Sequence, residues 1–273
     1  MSIIESILRR HSVRSYTGEA LSKEHAECIE AYIAGLKAPF GPQACIRLIH
    51  TDTPTGKVKL GTYGVIGGAR NFLTLAYKKE PLAEESAAYL FEQVVLYCTS
   101  MELGTCWLGG SFSRKDFGGQ IDLQPGEKVG IVSPVGYASG KKRFWDILIG
   151  SEKHHTSRKS FGSLFFSGNF RTPLTEEAAG IYRQPLEMVR LAPSANNFQP
   201  WRIILDSGVL HFYHQKSLGG FDAIDSGIAL AHFGETCREL GIAGRFELFP
   251  SAAQQEGVTY SLSWITDKEE QQS

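Results

Sequence analysis

A chain of 273 residues, 42% of them hydrophobic, can bury a sizeable core as one large domain or two closely packed halves. Its net charge of -1 leaves no basic footprint for nucleic acid, and no apolar run reaches membrane-spanning length. Met1-Ser-Ile-Ile-Glu-Ser6 does not read as a signal peptide, and the five cysteines (Cys28, Cys45, Cys98, Cys106, Cys237) show no Cys-x-x-Cys spacing, so a reduced, cytoplasmic protein without a zinc site is expected.

Residues 2–10 place Ile3, Ile4, Ile7 and Leu8 on one face of a short helix. The chain then extends through Arg10-His11-Ser12-Val13-Arg14, where alternation puts Arg10, Ser12 and Arg14 on one side. Two guanidinium groups flanking a hydroxyl suit a phosphate, because arginine offers a planar bidentate fork; a solvated basic patch is the plainer reading of that motif alone. Ser22 is placed to cap a helix running to about Leu36, and residues 45–50 and 71–77 read as strands. A strongly apolar helix over residues 86–103 is expected to be buried on most sides, with Gly104 as its C-cap. Residues 105–110 read as a strand ending in Gly109 and Gly110, which let a ligand or another segment approach the backbone closely. Another strand over 129–137 leads to the basic Lys141-Lys142-Arg143. His154-His155 lies in a Lys/Ser-rich connector and reads as solvated linker.

Around residues 144–157 the pattern restarts. Arg158-Lys-Ser160 echoes Arg10-His-Ser12, Leu191-Ala-Pro193 echoes Lys37-Ala-Pro39, and residues 228–241 echo 94–104, both closing on Glu-Leu-Gly. Order is kept while spacing drifts, which indicates an internal duplication with halves at 1–150 and 151–273. The second half carries the loop Pro193-Ser-Ala-Asn-Asn-Phe-Gln-Pro-Trp201, stiffened by Pro193 and Pro200. Ser194, Asn196, Asn197 and Gln199 offer donors and acceptors suited to a flat polar ligand, although such loops also serve simply to cap a helix. The first half lacks the paired asparagines, and the second lacks the second basic residue and the Lys-Lys-Arg cluster. Together the halves make one full set.

Arg10-His-Ser-Val-Arg14, Leu103-Gly-Thr-Cys-Trp-Leu-Gly109 and Pro193–Trp201 resemble the three signature segments of the FMN-dependent nitroreductase family, and the similarity covers most of the chain. Where the usual member is a homodimer with FMN sites at the subunit interface, the resemblance here is to the fused-repeat members, in which one chain is a pseudo-dimer. It implies an α+β, nitroreductase-like fold of two similar halves, each an antiparallel-dominated sheet packed by helices. It also implies that Arg10, His11 and Ser12 meet the ribityl-phosphate arm of FMN, Arg14 the pyrimidine edge, and Lys142 or Arg143 the phosphate. Leu108, Gly109 and Gly110 would line the flavin ring near N5. Pro193, Ser194, Ala195, Asn196 and Asn197 would come from the other half to the ring and its dimethylbenzene side.

One FMN per chain is the expectation. NAD(P)H would pass hydride through flavin N5 by a ping-pong route to a nitroaromatic, quinone or similar small electron-poor acceptor, with no catalytic side chain. Such a route needs no Gly-x-Gly-x-x-Gly fingerprint, which Val65-Ile-Gly-Gly-Ala69 does not fit. Cys106, Trp107 and Trp201 read as packing residues. The chain is expected to act as a monomeric pseudo-dimer, with a homodimer left open; the alternative function is a non-catalytic flavin-binding or scaffold protein derived from such a duplicated enzyme.

Overall fold

The computed structural model describes residues 1–51, 62–140, 157–217, 219–249, 252 and 254–266. Two sheets carry the fold. The first contains β1 (Cys45–His50), β2 (Asn71–Lys78), β3 (Gly104–Thr105) and β4 (Glu127–Gly136) in the order β1-β2-β4-β3, all antiparallel. The second contains β6 (Trp201–Asp206), β7 (Val209–Gln215), β8 (Gly244–Glu247) and β9 (Val258–Thr266) in the order β6-β7-β9-β8, again antiparallel. The two orders are the same. A short β5 (Phe165–Ser167) adds to β6 in parallel at the edge of the second sheet.

A long helix follows the second antiparallel strand of each sheet: α3 (Ala83–Ser100) after β2, and α7 (Asp222–Glu239) after β7. These two helices pack on each other between the sheets. Their approach is close because Gly227 has no side chain; a Cβ there would lie 2.2 Å from the Glu85 carbonyl oxygen. One apolar core therefore runs through both halves, from Leu73, Phe91 and Val135 to Phe212, Phe233 and Trp264. A second cluster covers the other face of the first sheet, where Phe72 and Val132 meet Val13, Tyr16 and Phe117. Covered on both sides, β2 is buried from Asn71 to Tyr77, which explains its unbroken apolar run.

The short α1 (Ile3–Arg9) starts with a Ser2/Glu5 capping box and joins the halves from outside. Its Ile7 packs against Leu96 of α3 and Met188 of α6 (Arg183–Arg190). The helix α2 (Lys23–Gly35) has Ser22 as its N-cap, accepting the His25 amide at 3.1 Å. The short helices α4 (Arg114–Gly118) and α5 (Phe161–Leu164) complete the α-helices of the described residues.

Two boundaries differ from the sequence expectation. The long helix of the first half begins three residues earlier and ends at Ser100, so Gly104 is not its C-cap. Glu102 takes the left-handed turn (φ 61°) and the Leu103 amide bonds back to Cys98, which closes the helix before Gly104 is reached. Gly104 instead opens β3 beneath Val13, where a Cβ would sit 2.8 Å from the valine side chain. The expected strand over 105–110 is correspondingly short, with Leu108 held by an isolated bridge to Val132. The expected division at 150/151 falls outside the described residues.

Candidate functional site

The basic segment of the first half is pinned as an extended strip. Val13 N–H donates to the Thr105 carbonyl at 2.8 Å, Gly67 N–H donates to the Arg14 carbonyl at 3.0 Å, and Tyr16 N–H donates to the Gly67 carbonyl at 2.8 Å. Val13 and Tyr16 point into the core, so the alternation leaves Ser12 exposed and Arg14 half-buried. His11 is also exposed, its Nδ1 3.1 Å from the Arg9 carbonyl. Arg10 is half-buried, and its Nε has no hydrogen-bond partner among the described residues. Burial lowers the Arg10 pKa, opposed by the nearby Glu92 carboxylate.

At the glycine edge the three expected positions differ in what they can offer. Leu108 exchanges both backbone bonds with Val132, at 2.8 and 3.0 Å, so its amide and carbonyl are already used. The Gly109 carbonyl accepts from Arg114 at 3.1 Å, and Phe221 fills the space where a Gly109 side chain would go. Gly110 is exposed with nothing within 4 Å of a notional Cβ. Among the described residues, neither glycine N–H has an acceptor. The open donors of this edge are therefore Gly109 and Gly110.

The second-half loop follows Arg190, the last residue of α6. Asn196, Asn197 and Gln199 all adopt left-handed backbone, with φ of 51°, 55° and 52°. Such a loop needs strong internal support. Ser194 Oγ accepts the Gln199 amide at 2.9 Å, and the Asp225 carboxylate of α7 accepts the Ala195 amide at 3.0 and 3.2 Å. Asp225 is almost wholly buried, and burial pushes its pKa up to about 7, the Ala195 bond opposing and neighbouring Asp222 adding. Asn197 spends its amide on the loop: Oδ1 accepts from Arg158 at 3.1 Å and Nδ2 donates to the Ser157 carbonyl at 2.8 Å. Pro193 and Ser194 are half-buried, and Asn196 is exposed with no side-chain bond among the described residues.

Arg158 holds the loop within the second half and lies close enough to Arg10 to feel its charge. It donates to the Leu191 carbonyl at 3.1 Å as well as to Asn197, and its pKa is lowered by burial and then by the charges of Arg10 and Arg190. Arg10 from one half and the Asn197 loop from the other thus share a neighbour. Lys142 and Arg143 lie outside the described residues.

A buried network beneath Arg10 was missed from the sequence. Glu92 of α3 accepts from Trp107 Nε1 at 2.8 Å and faces His232 Nε2 of α7 at 2.9 Å, while His232 Nδ1 lies 2.8 Å from the Met188 carbonyl. A glutamate and a histidine among the apolar residues in the middle of two long helices were the available signal. Among the described residues no group of three or more His, Cys, Asp or Glu could hold a metal, and no helix is long and apolar enough to cross a membrane.

Two helix-packed, antiparallel-dominated sheets about a shared helical seam define the nitroreductase fold, here as two similar halves in one chain. A family model described as "Putative TM nitroreductase" matches residues 2–236, and the chain belongs to this nitroreductase family, a class of oxidoreductases. The "putative nitroreductase" of Thermotoga maritima has the same fold, with a TM-score of 0.61 at 21% identity over 97% of this chain and 94% of that one. A Bacteroides fragilis nitroreductase with bound FMN aligns over 52% of this chain and 92% of its own, at 16% identity and a TM-score of 0.41. An FMN-dependent nitroreductase of Clostridium difficile aligns over 51% and 90%, at 15% identity and a TM-score of 0.41. No curated protein matches the chain.

Proposed function

We propose that this chain is an FMN-dependent oxidoreductase with one composite flavin site, built from the basic segment and glycine edge of the first half and the Pro193–Asn197 loop of the second. The observation that carries this reading is Arg10, a half-buried guanidinium whose Nε has no partner among the described residues. An unmet buried donor on a charged group is costly, and a phosphate would satisfy it with a charge-assisted bond. Ser12 is exposed beside it, and Lys142 or Arg143 would add a second cation to the phosphate.

The remaining parts fit the same ligand. Gly109 and Gly110 offer two unpaired amides on a face that Gly110 leaves open, which suits a flat ring with acceptor atoms at its edge. Arg14, half-buried in the same strip, would put positive charge near the pyrimidine edge, where charge builds on reduction. From the second half, Ser194 and Asn196 retain groups that can face the ring, while Asn197 fixes the loop through Arg158. Held by these residues, FMN would supply hydride-transfer chemistry between NAD(P)H and a nitroaromatic, quinone or similar electron-poor acceptor. The FMN-dependent and FMN-bound nitroreductases named above are in keeping with this assignment.

The matching strand orders support a further part of the reading, namely that the halves are unequal copies of one ancestor and that a single chain acts as its own dimer. The test is a titration of the purified protein with FMN, followed by desalting and a visible spectrum. One flavin per chain, bleached by NADH or NADPH, is expected. A flavin that binds but stays oxidised with both nucleotides would leave a non-catalytic flavin-binding protein, and no retained flavin would overturn the site.

A further inference from the structure

Lys159 and Arg202 lie on the outer side of the same loop and share one acceptor. Lys159 Nζ is 3.3 Å from the Gln199 carbonyl oxygen and Arg202 Nη1 is 3.1 Å from it. The two nitrogens are therefore within about 6.5 Å of each other, a span that one phosphate bridges through different oxygens. Their other bonds also go to neutral acceptors: Lys159 to the Phe198 carbonyl at 2.7 Å, Arg202 to the Trp201 carbonyl at 2.6 Å and to Gln215 Oε1 at 2.7 Å. Among the described residues neither has a carboxylate partner, whereas Arg183, Arg190 and Arg238 each have one. Burial lowers both pKa values, and the Arg202 charge lowers that of Lys159 further. Two half-buried cations are thus held together with nothing to balance them.

Beside them stands Phe198, 38% exposed, with Lys159 Nζ 5.1 Å from its ring centroid. It sits between Asn197 and Gln199, both left-handed, so strained backbone on each side holds this aromatic ring at the surface. An exposed ring next to an unbalanced pair of cations is the chemistry that recognises a nucleotide, the base stacking and the phosphate bridging the charges. The patch also continues through Arg158, which hydrogen-bonds Asn197, towards Arg10.

We propose that Phe198, Lys159 and Arg202 form a subsite for the adenosine-phosphate arm of the nicotinamide donor. The adenine lies against the open face of Phe198 and a phosphate bridges the Lys159 ammonium and the Arg202 guanidinium. That the adenosine phosphate belongs to a hydride donor rests on the flavin reading; that the patch binds an adenosine phosphate does not.

The experiment is isothermal titration calorimetry of the full chain with 2′,5′-ADP, 5′-AMP and adenosine, in the presence and absence of FMN. Binding of at least one of the two phosphates is expected, weakened tenfold or more by Lys159→Gln and by Phe198→Ala and largely kept by Phe198→Tyr. Tighter binding of 2′,5′-ADP than of 5′-AMP identifies the NADPH phosphate, and equal binding the phosphate shared with NADH. Failure of both to bind, or binding unchanged in both loss-of-contact variants, overturns the subsite. Phe198→Ala alters only a surface ring, so a folding defect in Lys159→Gln would not leave the question open. Adenosine phosphates that bind a chain unable to take up FMN would keep the subsite and remove the flavin reading, whereas a yellow chain that ignores them would do the reverse.

Discussion

Glu92 Oε1 lies 2.9 Å from His232 Nε2, with both side chains fully buried, on helices from opposite halves of the chain. The other ring nitrogen faces the Met188 carbonyl at 2.8 Å, which can only accept, so Nδ1 carries a hydrogen. The contact with Glu92 then needs one more proton, on the imidazole or on the carboxyl. Either way the pair is neutral as a unit. His232→Ala would strand Glu92 with Trp107 alone, and breaking a buried pair in this way costs about 3–5 kcal/mol. Urea denaturation should show the unfolding free energy falling by that amount, as a lower midpoint at unchanged slope. The double change Glu92→Leu with His232→Leu should cost less than His232→Ala, since no charge is left behind.

Gly109 and Gly110 are adjacent but predict opposite outcomes. A Cβ on Gly109 would lie 2.5 Å from Phe221, so Gly109→Ala must displace that ring and should destabilise the fold by about 1–3 kcal/mol. A Cβ on Gly110 meets nothing within 4 Å, so Gly110→Ala should change the melting temperature little. It would instead project into the face proposed for the flavin. Thermal melts paired with FMN titrations would separate the two, with Gly110→Ala losing affinity alone.

Much of this architecture was legible in the sequence, for physical reasons. The strand of residues 45–50 and the buried strand from Asn71 announce themselves because short, largely apolar runs between turns have few other uses. The repeated Glu-Leu-Gly endings and the echoed basic segments carried the two-half reading, and the strand orders match. What stayed hidden depends on tertiary neighbours. Glu102, not Gly104, took the left-handed turn, because Gly104 was needed under Val13. Asn197 reads as a free amide in the sequence but is held by Arg158 and Ser157, residues some forty positions away. The Asp225 contact with Ala195, like that of Glu92 with His232, joins residues that no local pattern connects.

Asp225 predicts a pH dependence of stability. Its folded pKa, about 7, is above the ordinary aspartate value of 3.8, so the folded state holds a proton that the unfolded chain has lost. This contribution is fully present below pH 3.8 and is lost as pH rises through about 7. The slope reaches at most about 1.4 kcal/mol per pH unit between those limits. His211 and His214, whose pKa values burial lowers, act in the other direction as pH falls below the ordinary histidine value. The measurement is therefore the difference between wild type and Asp225→Asn. The variant should gain relative stability as pH rises from 5 to 8, and a flat difference would mean that Asp225 ionises normally.

Arg10 predicts a separation of stability from binding. Among the described residues its buried Nε has no partner, a cost that a bound phosphate would remove. Arg10→Met keeps most of the apolar stem and removes both the orphan donor and the charge, so the ligand-free variant should be at least as stable as wild type. A hydrogen bond to a charged group is worth about 1.5–3 kcal/mol, so FMN affinity should fall by about 10- to 100-fold. Riboflavin, which lacks the phosphate, should lose far less. The readout is the ratio of the two dissociation constants in wild type and variant, measured by flavin fluorescence. Equal losses for both ligands would move Arg10 from the phosphate arm to the ring, and no loss for either would remove it from the site.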